Sequence, residues 1–287
     1  MILQRHVTAL FCLTLSFVAV ESTAQNAQEG VSTVETLSIQ PEARSVLDRA
    51  LKAMGGADAR DRIVSTRASA RISVGQTSSS YEILTRRPGA FLVRQKIQGL
   101  GEMQIGCDGA TAWRSDPPDG RLTPMPLKQA AEALQSFDFQ ALLRDMDKRF
   151  PRATLGEPRE IREVLCDHVE LSDGANSISA YFDPGTGLLK AFDVKGNDSR
   201  PMLRRVTIES WSEPGTSEFL WARRLRIKQP GATMEAEYRS VTFNDVAESS
   251  FELPIGITPN PESPTDGAPA AEETTAEDDS EAEPAQP

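Results

Sequence analysis

The sequence is poor in the side chains that most often carry catalysis and metal binding. Its 287 residues include two histidines and three cysteines, and of these only His168, Cys107 and Cys166 lie beyond residue 24. A zinc site of the usual type needs three or four such ligands, and neither CxxC nor HExxH spacing occurs. The sequence also has no GxSxG and no glycine-rich loop ending in Lys-Ser or Lys-Thr. We therefore expect no metal, no cofactor and no catalytic residue.

Long apolar runs are also missing, apart from one at the start. An apolar run over residues 7–20 follows the positive charge of Arg5, and small residues precede a cleavage point after Ala24. This run is too short for a membrane span and predicts a secretory signal peptide over residues 1–24. We therefore expect an exported, soluble protein with a polar lead-in over residues 25–40.

The last segment, residues 255–287, lacks both basic and aromatic residues. It carries nine acidic residues and six prolines. Such a segment buries too little apolar surface to offset its ordering entropy, so we expect a disordered tail. The tail also accounts for nine of the eleven net negative charges of the chain. The remaining residues 41–254, enough for one domain, have no basic footprint for nucleic acid, and we expect no nucleic-acid partner.

Apolar periodicity predicts helices at the front and in the middle of this domain. Residues 41–54 repeat apolar side chains every three or four positions, between Pro41 and the pair Gly55-Gly56. Proline and glycine are typical of a helix start and a helix end, respectively. The same period returns over residues 126–150 and predicts one or two further helices.

The other segments alternate apolar and polar residues, as half-buried strands do. About ten such segments follow one another between residues 66 and 243. Parallel strands would need a helix after nearly every strand, so an antiparallel meander is the simplest arrangement. A single sheet of this length must curl to bury one face. We expect the helices to cover the concave face.

The two cysteines beyond the leader allow two special interpretations. Cys166 and His168 lie on one face of a strand, as a thiol nucleophile and its base require. The same spacing fits a packed cysteine and a hydrogen-bonded histidine, which we favour. An exported protein also permits a Cys107–Cys166 disulfide bond, although a simple meander separates their strands by about three positions, which is too far unless the two strands face each other across the curled sheet.

Three motifs, in the same order along the chain, resemble those of the LolA-type family of periplasmic lipoprotein carriers. "TRRPGAF" at residues 85–91 is similar to the family's Lys-Arg-Pro-x-x-Phe, and "CDGATAWRSDP" at 107–117 is similar to its Asp-Gly-x-x-x-Trp-x-x-x-Pro turn. "SSFELPIGI" at 249–257 is similar to its terminal Ser-x-Phe-x-x-Pro-x-Gly-Val segment. The turn "YFDPGTGLLKAF" at 181–192 also resembles a hairpin of related lipoprotein-sorting proteins.

The resemblance implies a mainly β fold: a curved antiparallel half-barrel, with an N-terminal helix and inserted helices that form a lid over its hydrophobic concavity. It implies a monomeric, non-enzymatic carrier or chaperone of the periplasm that holds the acyl chains of a lipoprotein or lipid. A membrane-bound donor or acceptor would be a further partner. The alternative is an envelope sensor or regulatory binding module of the same fold, which acts through protein contacts.

The resemblance also implies roles for single residues. The arginine of the Arg-Pro step, Arg87, would hydrogen-bond carbonyls of the lid and hold it closed, because an unpaired guanidinium at an apolar rim is costly. The alternative for Arg87 is a solvated charge at a strand end. The predicted cavity or lid residues are Phe91, Trp113, Leu134, Phe137 and Leu142. For Trp113 a position in the core is the alternative.

Overall fold

The computed structural model describes residues 38–174, 176–194 and 204–259. The predicted signal peptide, most of the lead-in and the tail from residue 260 lie outside these residues. The helices are α1 (Pro41–Met54), α2 (Gly56–Asp61), α3 (Leu127–Phe137), α4 (Phe139–Arg144) and α5 (Met146–Arg149), with a 3₁₀ helix at Glu248–Phe251. The strands are β1 (Ser65–Val74), β2 (Thr77–Arg86), β3 (Ala90–Ile97), β4 (Gly101–Cys107), β5 (Ala112–Asp116), β6 (Arg121–Met125), β7 (Arg152–Ile161), β8 (Val164–Ser172), β9 (Ser177–Phe182), β10 (Leu189–Val194), β11 (Arg204–Trp211), β12 (Ala222–Gln229) and β13 (Ala232–Phe243).

All thirteen strands belong to one antiparallel sheet, in the order β6-β5-β4-β3-β2-β1-β13-β12-β11-β10-β9-β8-β7. Sequential strands pair as in a meander, with one exception: β6 and β7 lie at opposite edges, and helices α3–α5 connect them. The first and last strands therefore meet in the middle, where β1 pairs with β13. The predicted curved, mainly β half-barrel is confirmed, but a single uninterrupted meander is wrong.

The first helix forms where the sequence predicts it. Pro41 stands at its first turn, and Ala43, Val46, Leu47 and other small or apolar side chains of one stripe are buried. Gly55 ends the helix with φ +134°, and a Cβ atom there would lie 2.5 Å from the carbonyl oxygen of Glu218. Glycine is therefore required both by the backbone angle and by the close approach of the neighbouring chain.

Strand alternation divides the buried side chains between the two faces of the sheet. On β3, Phe91 and Val93 join the large core on the concave face, whereas Leu92 joins a second cluster on the convex face. This convex cluster is closed by the C-terminal segment, through Val246, Phe251 and Ile257. Since Ile257 is buried, the folded part extends beyond the predicted boundary at residue 254.

Within the described residues, no helix combines the length and apolar composition that a membrane crossing requires.

Candidate ligand-binding site

The helices α3–α5, residues 127–149, form a lid on the concave face. Their apolar side chains pack into the same core as the concave side of the sheet. The rings of Phe137 on the lid and Tyr81 on β2 lie 5.5 Å apart between centroids. The lid residues in this core include Ala130, Phe137, Phe139, Leu142, Leu143 and Met146. The lid therefore fills the concavity with its own side chains.

Four of the five predicted apolar site residues lie together in this core. Phe91 on β3 is buried, as are Phe137 and Leu142 on the lid. Leu134 is partly buried and packs against the same cluster. The helical period and the strand alternation thus place these four side chains at one interface between lid and sheet.

Trp113 lies elsewhere, and its prediction as a cavity residue is wrong. Its side chain belongs to the convex cluster with Leu84, Leu92 and Phe251. The neighbouring strand provides Gly106, where a Cβ atom would come within 2.6 Å of the indole ring. The ring thus occupies the space above a glycine on the convex face, so the core alternative describes Trp113.

Arg87 lies beside the lid, at the end of β2. Its Nη2 atom is 3.7 Å from Oδ1 of Asp145, at the junction of α4 and α5. The contact is an ion pair with a carboxylate, whereas the sequence predicts hydrogen bonds to lid carbonyls. Its side chain is 45% exposed, and ion pairs of this kind contribute only about 0–1 kcal/mol. The latch role of Arg87 stays a prediction.

The sequence does not reveal a second polar contact, between α5 and α2. Nη1 of Arg60, whose side chain is only 6% exposed, donates to both carboxylate oxygens of Asp147 at 2.8 and 3.0 Å. Burial lowers the pKa of the Arg60 guanidinium, but the hydrogen bonds and charges of Asp147 and Asp61 together more than offset this effect and raise the pKa. Lys148 bonds Asp61 beside this pair, at 2.8 Å.

A third contact anchors α4 to the sheet. The Gln140 side chain donates to the carbonyl of Ala222 at 2.8 Å and accepts from its N–H at 3.1 Å. The pairing of β12 with β13 begins only at Arg224, so the amide of Gln140 takes the place of a strand partner for Ala222. These groups are buried, which makes the two bonds expensive to lose.

Two cavities flank α4. The first, with about 370 Å³ of empty space, lies between α1, the lid and the sheet, and Leu47, Met54, Leu143 and Trp211 line it. The second, with about 420 Å³, is called here the arginine pocket, and its walls include Phe139, Leu142, Arg149 and Arg204. Both volumes include space that is open to solvent. Since Leu142 and Leu143 separate them, displacement of α4 would join the two.

Asp138, between α3 and α4, is a buried carboxyl group within the lid. It caps α4 by accepting from the N–H of Ala141 at 2.9 Å. Burial raises the pKa of Asp138, against the lowering effects of this hydrogen bond and of Arg144. A raised pKa in the folded state means that protonation of Asp138 favours folding. Its contribution to stability is therefore full below the unfolded pKa of about 3.9 and is lost as the pH rises through the raised value.

Asp138→Asn is expected to stabilise the protein at neutral pH, because asparagine also caps helices but carries no charge to bury. Urea denaturation at several pH values between about 4 and 7 should show the variant gaining on the wild type as the pH rises. Asp48→Asn, at an exposed position of α1, provides the control. A pH dependence identical in Asp138→Asn and wild type would contradict the assignment.

The structure opposes both special interpretations of the cysteines. Cys107 and Cys166 are free thiols on β4 and β8, nine places apart in the sheet order, so the disulfide bond that the sequence permits does not form. Burial raises the pKa of the Cys166 thiol, which disfavours a nucleophilic thiolate. His168 stacks on Tyr181, with ring centroids 5.1 Å apart. A packed cysteine and a packed histidine describe the pair.

Among residues 38–174, 176–194 and 204–259, no group of three or more His, Cys, Asp or Glu side chains is arranged to hold a metal ion.

Several residues of the site were missed in the sequence although a signal for them exists. Arg204 lies two and four residues before the buried Val206 and Ile208 on β11. Because residues two apart in a strand share a face, the alternation itself places this arginine on the core face. Gln140 likewise stands among apolar residues of a helical pattern. A polar side chain at a core position was the available signal in both cases. The Arg60–Asp147 pair has no such signal, because it joins two helices that are distant in sequence.

Comparisons with solved structures give the same architecture. A DUF1329 family protein from Desulfovibrio piger has a TM-score of 0.51 and 11% identity, over 73% of this chain and 97% of its own. A LolA superfamily protein from Nitrosomonas europaea has a TM-score of 0.50 and 12% identity, over 74% and 97%. A domain described as an outer membrane lipoprotein-sorting protein, from Vibrio parahaemolyticus, has a TM-score of 0.50 and 12% identity, over 73% and 97%.

No protein-family model matches the sequence, and no curated protein matches it. The likeness is therefore one of fold. This chain has the LolA-like fold that its motifs at residues 85–91, 107–117 and 249–257 predict.

Proposed function

We propose that the protein is a non-enzymatic carrier of the periplasm that binds acyl chains, of a lipid or of a lipoprotein, on the concave face of its sheet. The supporting observation is that a lid of short helices fills this apolar face with Phe139, Leu142, Leu143 and Met146. These lid side chains pack on the sheet through apolar contacts. The apolar groups of a ligand, if of similar volume, can therefore take their place.

The energetics favour such an exchange for a long chain. Each buried CH₂ group contributes about 0.8 kcal/mol, so an acyl chain gains in proportion to its length. The lid residues lose apolar contacts of the same kind when the ligand displaces them. The Arg87–Asp145 ion pair adds little to the cost of this displacement, because it is half-exposed. The ligand therefore competes with the apolar side chains of α4 and α5, and displacement of the lid must also overcome the buried contacts of Gln140 and Asp147.

The cellular setting belongs to the same proposal. The predicted signal peptide would export the chain, and an exported carrier takes its cargo from a membrane-bound donor or delivers it to an acceptor. The LolA superfamily protein and the lipoprotein-sorting domain share the fold, which is compatible with this role. The carrier would act as a monomer.

Extraction of bound lipid tests the proposal. The full chain would be produced with its own leader, purified from a periplasm without detergent, extracted with organic solvent and analysed by mass spectrometry. Near-stoichiometric acyl lipid would support the carrier. A stable protein that is empty after purification, and that takes up no acyl chain when lipid is added, would contradict it and favour the envelope-sensor alternative.

Arg87→Leu is expected to change ligand exchange more than stability. Loss of the contact with Asp145 should speed both uptake and release of an acyl chain about 2–5-fold, the effect of up to about 1 kcal/mol on a barrier. Stopped-flow fluorescence with a fluorescent fatty acid measures both rates. Arg223→Leu, on an exposed part of β12, is the control. Unchanged rates, or a loss of stability as large as the change in exchange, would contradict the latch.

A further inference from the structure

The convex face carries positive charge along the three strands at the centre of the sheet. Strands β1, β13 and β12 hold seven basic residues and two acidic ones. Their apolar residues, such as Ala70, Leu225 and Ala236, lie in the concave core, so the charged side chains project from the opposite face. The seven basic residues are called here the basic strip: Arg67, Arg71, Arg223, Arg224, Arg226, Lys228 and Arg239.

Two irregularities of strand pairing keep arginines in this strip. The register of β11 with β12 skips Arg223, and the register of β1 with β13 skips Arg239. A residue at such a bulge is released from strict alternation, and its side chain can be aimed away from the core. Both side chains are exposed. The bulges therefore leave both guanidinium groups on the solvent side of the sheet.

The carboxylates within the strip are outnumbered. Glu237 accepts a hydrogen bond from Nη2 of Arg224 at 3.0 Å. The pKa of Glu237 is lowered, first by the hydrogen bond and charge of Arg224 and then by the charges of Arg223 and Arg239. Among the side chains that the structure describes, neither Arg223 nor Arg239 has a direct ion pair of its own. Three arginines thus surround one glutamate.

The neighbouring strands do not restore the balance of charge. Glu82 on β2 is shared between Arg67 of the strip and Arg94 of β3. Glu209 on β11 likewise pairs with Arg226 and with a second arginine outside the strip. Each of these carboxylates therefore neutralises the strip only in part, and the strip keeps a positive excess.

The segment of residues 260–287, called here the acidic segment, begins on the same face of the sheet. It contains nine acidic residues and no Lys or Arg. Ile257, three residues before it, is buried in the convex cluster together with Leu84 and Leu92. Leu84 belongs to β2, which is the direct neighbour of β1. The acidic segment therefore starts beside the basic strip.

The distances allow the acidic segment to cover the whole strip. Paired strands lie about 4.8 Å apart, so β12, the far strand of the strip, is about 14 Å from β2. A random-coil chain as long as residues 260–287 spans about 30 Å. Reach along the convex face is therefore sufficient without any rearrangement of the sheet.

We propose that the acidic segment, residues 260–287, binds to the basic strip on the convex face of the same molecule. The occupant is chosen by charge and by attachment: the segment is uniformly acidic, and its starting point is fixed on this face. Attachment keeps its effective concentration in the millimolar range, so many individually weak, exposed ion pairs are enough to hold it. The contact is electrostatic and weakens as salt is added.

Such binding gives the acidic segment a role that is separate from ligand binding on the concave face. A cluster of arginines and lysines is attracted to the anionic head groups of a membrane. The bound segment neutralises the strip and so reduces this attraction. The lid and the concave core lie on the other side of the sheet and stay accessible.

Paramagnetic relaxation enhancement in the full chain tests the inference. A nitroxide attached to Ala276→Cys, among the acidic residues, is the probe, and it labels one site because Cys107 and Cys166 are buried. At about 0.01 M salt we expect the amide signals of β12 and β13 to broaden, while those of α3 on the lid stay sharp. At about 1 M salt, where the Debye length falls from about 30 Å to about 3 Å, the broadening should disappear.

A charge variant assigns the contact to the strip. It replaces one exposed arginine on each of the three strands: Arg71→Gln/Arg224→Gln/Arg239→Gln. We expect it to lose most of the broadening. The matched control removes three exposed arginines outside the strip: Arg62→Gln/Arg121→Gln/Arg159→Gln. The control should keep the broadening, and urea denaturation establishes that both variants are folded.

Three results would overturn the inference. Sharp signals of β12 and β13 at low salt, or broadening of lid signals in their place, would show that the acidic segment does not bind the strip. Broadening that persists in the strip variant would show that these arginines do not hold the segment. Sharp signals together with binding of the wild type to phosphatidylglycerol vesicles, lost in the strip variant, would identify an anionic membrane as the occupant.

Discussion

Gln140→Leu is expected to lower the free energy of unfolding by about 2–6 kcal/mol. The reason is that the backbone N–H and the carbonyl of Ala222 would both be buried without a partner, at a cost of about 1–3 kcal/mol each. Leucine cannot replace the donor and the acceptor that the Gln140 amide offers. The lid loses its hydrogen bonds to β12 at the same time. Urea denaturation measures the loss of stability, and hydrogen exchange of α4 measures the loosening of the lid.

Gln129→Leu is the matched control, since Gln129 lies on the exposed side of α3. We expect its effect to stay within about 0.5 kcal/mol of wild type, as for most surface substitutions. A Gln140→Leu variant as stable as Gln129→Leu would show that Ala222 does not depend on the side chain of Gln140.

Asp147→Ala should cost about 2–4 kcal/mol, because it removes the better-buried partner of Arg60 and leaves its guanidinium with the exposed Asp61 alone. The lower end of this range reflects Asp61, which still contacts Arg60 at 3.1 Å. The loss should be largest in α5, which Asp147 ties to α2. Equilibrium unfolding measures the total loss of stability, and hydrogen exchange shows which helices and strands lose protection.

The double variant Arg60→Met/Asp147→Leu separates the cost of an orphaned charge from the value of the pair. Replacement of a buried pair by apolar side chains is often neutral, so the double variant should recover most of the loss seen in Asp147→Ala. A double variant that is as unstable as the single one would mean that the pair itself, and not the burial of a lone cation, holds α5 in place.

Two of the contacts that fasten the lid are expected to contribute most, and they differ in chemistry. Gln140 joins α4 to the sheet through peptide-like hydrogen bonds, and Asp147 joins α5 to α2 through charge. Arg87 lies between them at the α4–α5 junction, where it approaches Asp145. The Arg87–Asp145 contact is weaker and more exposed than the contacts of Gln140 and Asp147. It is therefore the most easily broken of the three.

Much of the fold is readable from the sequence where one face of an element is buried. Residues 41–54 and the central strands have that property, and their periodicity predicts them. The alternation does not predict the edge strands β6 and β7, since an edge strand has fewer neighbours to impose alternation. β6 contains Pro124, and β7 contains Gly156 and Pro158 around a register shift; both residue types are typical of edges and bulges.

The site is readable to a smaller extent. Periodicity identifies Phe91, Leu134, Phe137 and Leu142 as apolar side chains of one interface, but it does not say which face of the sheet a strand side chain occupies. The prediction for Trp113 therefore names the wrong face of the sheet. Pairing between distant segments, such as Arg60 with Asp147 or Gln140 with Ala222, depends on the crossing of the lid from one sheet edge to the other, which no local pattern encodes.

Photochemical cross-linking with a diazirine-bearing fatty acid tests the central claim, that acyl chains bind on the concave face beneath the lid. After irradiation and proteolysis, mass spectrometry locates the adducts. The account predicts adducts on lid peptides containing Leu142 and Leu143 and on β4 near Ile105, in competition with unlabelled fatty acid. Adducts confined to the convex cluster, around Val246 and Phe251, would contradict it.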